Sequence, residues 1–119
     1  MINLRRFVDA SLRPLAWVGL MAVMIASWTP GPEMIRTGFN PRLEHVFAYL
    51  VASIAVSLAY PRLPLKRLTP SMMGYAAVLE VGQLLVPGRH AGVLDWIASS
   101  TGAICGCCAV FLLARSRSP

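Results

Sequence analysis

Four apolar runs, separated by short stretches of proline, glycine and basic residues, limit the fold more tightly than any other feature of this chain. They cover about 14–29, 43–60, 68–86 and 93–114. The first three lie near the lower limit for a helix that crosses the ~30 Å hydrocarbon core of a bilayer, which takes roughly 17–25 residues, and the fourth lies within that range. Apolar residues make up 56% of the 119 and charged residues only 13%, with a mean hydropathy of +0.62. A globular domain carries about 25% charged residues, so this chain has too little polar material to cover a water-facing surface. The expectation is an all-α polytopic membrane protein: one domain, a compact bundle of four transmembrane helices.

The breaks are specific. Pro30, Gly31, Pro32, Gly38 and Pro41 mark one exposed loop, Pro61 and Pro64 a second, and Pro87-Gly88 a third. The first run follows Arg5, Arg6 and Arg13 and has the charge pattern of a signal peptide. The segment Ser27-Trp28-Thr29-Pro30 is a poor cleavage site, however, and three more apolar runs follow, so a retained helix is expected. Both termini are expected in the cytoplasm. That orientation puts Arg5, Arg6, Arg13, Arg62, Lys66, Arg67, Arg115 and Arg117 inside and only Arg36, Arg42 and Arg89 outside, the bias that positive-inside insertion favours. The implied location is a membrane, crossed several times, with membrane lipid as the surrounding partner.

Other classes are disfavoured. The net charge of +6 forms no basic stripe on a soluble helix, so no nucleic-acid partner is expected. Cys105, Cys107 and Cys108 do not have zinc spacing and sit within one apolar run, where small residues pack between helices. No metal or other cofactor is expected. Oligomeric state is left open. Trp28, Tyr60 and Trp96 read as residues of the aromatic belt at the bilayer interface.

With this topology, the polar residues of the last three runs approach one membrane face. Glu44 and His45 begin the second helix, Glu80 and Gln83 lie near the end of the third, Arg89 and His90 follow, and Asp95 begins the fourth. A third helix ending near Pro87 would hold Glu80 about 10 Å and Gln83 about 6 Å below its outer end. A charged acid at the bilayer centre costs roughly 2.5–3.5 kcal/mol, which the helix's Leu and Val residues only just offset at about −0.3 to −0.6 kcal/mol each. Intramembrane acids usually have a partner or a task. Helical spacing puts His45, Tyr49 and Ser53 on one face, Glu80 and Gln83 on another, and Asp95, Ser99 and Gly102 on a third. Ala98, Gly102 and Gly106 follow at steps of four and let a neighbouring helix come close.

Each polar residue also has a plain structural reading. Glu44 and Asp95 suit the first turn of a helix, where the dipole favours an acid. His45 suits the interface, and Arg89 suits a rim pair with Asp95 that holds the turn.

The string Leu43-Glu44-His45-Val46-Phe47-Ala48-Tyr49, then Glu80-x-x-Gln83, then Pro87-Gly88-Arg89, then Asp95 followed by Gly102 and Gly106, resembles the VanZ-like membrane proteins. The resemblance covers about residues 40–106. The family pattern has an aspartate where this chain has Asn40 and Pro41, and an asparagine at the position of Ser99. It implies a bacterial integral membrane protein of the cell envelope, in a family whose namesake is linked to low-level teicoplanin resistance, an antibiotic-resistance phenotype.

Three functional readings follow. In the first, Glu44, His45, Tyr49, Glu80, Gln83, Arg89, Asp95 and Ser99 bind an envelope precursor or a glycopeptide antibiotic at the outer face. In the second, the protein is a membrane-embedded enzyme in which His45, Glu80 and Asp95 supply acid–base groups and Arg89 holds an anionic headgroup. In the third it is a non-catalytic structural subunit.

Overall fold

The computed structural model describes residues 4–33 and 37–116, with side chains described for residues 10–32 and 37–116. Arg36 and Arg117, counted in the expected topology, lie outside the described residues, as do the side chains of Arg5 and Arg6. Among the described residues the chain is all-helical: α1 (Leu4–Ser27), a 3-10 turn (Gly31–Glu33), α2 (Pro41–Ala59), α3 (Leu65–Gln83) and α4 (Val93–Ser116). Three helical segments, Ala10–Ser27, Pro41–Ala59 and Val93–Ser116, are long and apolar enough to cross a membrane. The α3 helix is not one of them, because Lys66, Arg67 and Glu80 fall within its 19 residues.

The helix ends follow from local chemistry. The Asn40 side chain accepts the Arg42 N–H at 2.9 Å, and Pro41 occupies the first turn where a missing N–H costs nothing, so α2 starts two residues earlier than its apolar run. Pro61 forbids its continuation beyond Tyr60. The α1 helix starts ten residues earlier than expected, since Leu4–Arg13 holds no break, and Pro14 is a helix-interior residue instead of the first. Proline there removes one hydrogen bond without ending the helix.

The α3 helix is shifted toward its N-terminus and ends at Gln83, not near Pro87. The Leu84, Leu85 and Val86 N–H groups bond three residues back, a tightened exit that Pro87 imposes on the residues before it. Glu80 is therefore three residues, about 4.5 Å of helical rise, from the end of α3. It is nearer the helix end than the sequence implied.

The α2 and α4 helices form the most extensive pair. Gly102 and Gly106 lie at their crossing: a Cβ on Gly102 would meet the Val46 carbonyl, and one on Gly106 would meet Ser53 Oγ and the Leu50 carbonyl. Removal of two side chains brings the backbones together, the geometry by which helices associate without a hydrophobic driving force. Tyr49, Ala52, Leu68, Met72, Ala76, Leu79, Ala103 and Cys107 form the buried core, and the Tyr49 and Tyr75 rings lie 6.3 Å apart at 55°.

The α1 helix packs sparsely on α3. Side chains bonded to main-chain carbonyls hold the two together: Tyr75 donates to Leu20, Gln83 Nε2 donates to Ser27 at 3.0 Å, and Trp28 Nε1 donates to Leu79 at 3.1 Å. Gly82 makes room for the Trp28 indole, since a Cβ there would lie 2.5 Å from Nε1. Trp28 and Trp96 are thus more than interface residues, because Trp96 Nε1 also donates inward, to the Met73 carbonyl at 3.0 Å. Beyond the helix ends, the Gly31 N–H donates to the Pro87 carbonyl at 3.0 Å and Gly31 lies directly on Gly88, which has φ +73°. Only glycine fits that crossing, for want of space at Gly31 and for backbone conformation at Gly88.

Candidate functional site: a polar cleft at one end of the bundle

The start of α2, the end of α3 and the start of α4 lie at the same end of the bundle, because α2 and α4 run away from it and α3 runs toward it. A cleft of about 770 Å³ opens there. Its walls include Glu44 and His45 from α2, Gln83 from α3, Arg89 from the following turn and Asp95 from α4. Residues far apart in the chain, from Thr37 to Asp95, thus share one cavity.

Three of the eight predicted binding residues stand elsewhere. Tyr49 is buried in the core and faces an adjoining groove of about 680 Å³ between α1 and α2, which Glu44, His45 and Arg89 also line. Ser99 is 1% exposed and stands behind His45, its Oγ 3.1 Å from His45 Nδ1. Glu80 is 7% exposed and does not face the cleft; its Oε2 accepts the Gly92 N–H at 3.1 Å. Glu80 therefore ties the end of α3 to the loop that leads into α4. Of the predicted packing residues, Ala98 is half-buried, and Gly102 and Gly106 occupy the α2–α4 crossing.

Charge pairing differs from the sequence reading. Asp95 Oδ1 pairs with Arg42 Nε at 3.4 Å, not with Arg89. The pair is partly exposed and contributes about 0–1 kcal/mol. Glu44 accepts from Thr37 Oγ1. Arg42–Asp95 is the one ion pair among the described residues, which leaves the half-buried Arg89 as a cation on the cleft wall with no partner among the described carboxylates.

Arg42, Asn40 and His90 also line the cleft and were not singled out as site residues from the sequence. The Asn-Pro pair at 40–41 was the available signal, since it marks a capped helix start that points Arg42 and Glu44 toward the same end.

The arrangement can hold an anion against Arg89, with His45 fixed through Nδ1 and its Nε2 left for a ligand. Among the described residues no group of three or more His, Cys, Asp or Glu side chains is placed to hold a metal ion. No family model, no curated protein and no solved structure matches this chain.

Proposed function

We propose that this chain is a VanZ-like integral membrane protein of the bacterial inner membrane that uses its polar cleft, at the outer face, to bind an anionic envelope component or a glycopeptide antibiotic. The cleft itself carries this reading: it brings Glu44, His45, Gln83, Arg89 and Asp95 from three helices and the turn after α3 into one cavity, where Arg89 has no ion-pair partner among the described side chains. The resemblance over residues 40–106 supports the cell-envelope setting, and the basic residues of the opposite end support the orientation. Four spans follow if α3, with three charged residues, inserts against its neighbours.

Arg89→Gln is the direct test, because it removes the cation and keeps a polar side chain. In cells that express the variant at wild-type abundance, teicoplanin susceptibility and the profile of lipid-linked precursors should shift to those of cells lacking the protein. An unchanged susceptibility and precursor profile would contradict the reading.

A second reading is favoured by the His45–Ser99 bond, which orients an imidazole at the cleft as a general acid or base would require. In that case His45→Gln would abolish turnover of a headgroup substrate while leaving its binding intact. Loss of binding and phenotype together would favour the binding reading.

A further inference from the structure

The end of the bundle opposite the polar cleft holds a second cavity, of about 610 Å³, between α1, α2 and α3. Its walls are apolar, formed by Leu20, Met24, Val56, Leu68, Met72 and their neighbours. Ligand cavities span about 300–1,000 Å³, so this one has room for a hydrocarbon chain. It lies where α1 packs sparsely on α3.

The rim is basic and aromatic. Trp17, Tyr60 and Arg67 line the mouth. Trp17 Nε1 donates to the Tyr60 hydroxyl at 2.7 Å, and the Arg13 guanidinium lies 5.2 Å from the centre of the Tyr60 ring. Arg62 and Lys66 lie in the adjoining turn and the start of α3. The described acidic side chains, Glu44, Glu80 and Asp95, are all at the other end of the molecule. An apolar cavity with cations at its rim, and with no acid beside them among the described side chains, matches one kind of occupant: an apolar chain that carries a negative head.

We infer that this cavity binds one anionic phospholipid of the surrounding membrane, with an acyl chain between α1 and α3 and its phosphate against Arg67 and Arg13. Guanidinium groups suit a phosphate because they present paired donors. Basic residues beside the bilayer surface draw anionic lipids by the same attraction. A second copy of the chain is a poor occupant, since pairing the same rims would bring like charges together. The inference is separate from the polar cleft and stands whether or not that cleft binds a ligand.

The test uses the full chain, purified in mild detergent and offered phosphatidylglycerol or phosphatidylcholine, with bound lipid read by native mass spectrometry. One phosphatidylglycerol should be retained per chain, and phosphatidylcholine should not displace it. Arg67→Gln should weaken retention about fivefold, the effect of one basic residue near an anionic lipid surface. Met21→Trp, at a half-exposed lining position, should block the cavity and lower retention with every cation still present. Circular dichroism would verify that both variants keep their helices. Equal retention of the two lipids, Arg67→Gln without effect in a folded protein, or a lipid-free dimer would overturn the inference.

Discussion

At the scale of single residues, Glu80 and His45 divide the roles that the sequence had assigned to them together. Glu80 is an acceptor for one backbone N–H, that of Gly92, at 3.1 Å. The bond explains why an acid near the end of α3 is tolerated: the buried carboxylate, 7% exposed, has a hydrogen-bond donor from the exposed Gly92 loop instead of being left without a partner. Glu80→Gln keeps an oxygen acceptor and should leave folding nearly unchanged, whereas Glu80→Ala should cost about 0.5–1.5 kcal/mol, the net worth of one hydrogen bond whose exposed donor can turn to water. Denaturant unfolding in detergent measures the difference, and equal stability of the two variants would show that the bond to Gly92 contributes nothing. The importance of Glu80 was legible in the sequence, because an acid in an apolar run calls for a partner. The partner was not legible, since a backbone N–H twelve positions later leaves no trace in side-chain spacing. His45 is different: its separation from Ser99 is bridged only when α2 and α4 cross, and the Gly102–Gly106 step that permits the crossing was plain in the sequence.

At the scale of elements, the bundle has one tight pair and one loose attachment. The α2 and α4 helices touch backbone to backbone, whereas α1, which packs on α2, is tied to α3 by polar side chains that reach main-chain carbonyls. Such bonds average about 0.6 kcal/mol, and reach up to roughly 2 kcal/mol, in membrane proteins. Tyr75→Phe combined with Gln83→Leu removes two of them and should loosen α1 while α2 and α4 stay packed. Limited proteolysis in detergent should then cut the 28–40 segment faster than in the wild type, with the α2–α4 fragment surviving; unchanged cleavage would mean that packing alone holds α1. The apolar runs located all four helices, because hydrophobic length is a property of the local chain. Their ends were displaced where capping or proline acts: Asn40 and Pro41 extend α2, and Pro87 shortens α3. The inward bonds of Trp28 and Trp96 were missed because an indole reads the same at an interface and against a carbonyl.

At the scale of the whole molecule, 51 Å long and 26 × 24 Å across, the two ends differ in kind. One gathers Glu44, His45, Arg89 and Asp95 in an open cleft, and the other holds Arg13, Arg62, Lys66 and Arg67 and an apolar cavity that Arg67 lines. The sorting follows from helix direction: three hairpin reversals return the chain to the same two ends, so charges distant in sequence become neighbours. The functional account requires these ends to face opposite sides of a bilayer. Single cysteines at His90 and at Lys66, introduced with Cys105, Cys107 and Cys108 replaced by alanine, test this in intact cells with a membrane-impermeant maleimide. The expected result is labelling at position 90 from outside and at position 66 only after permeabilisation. Equal labelling of both positions from outside, or labelling of position 66 alone, would contradict it.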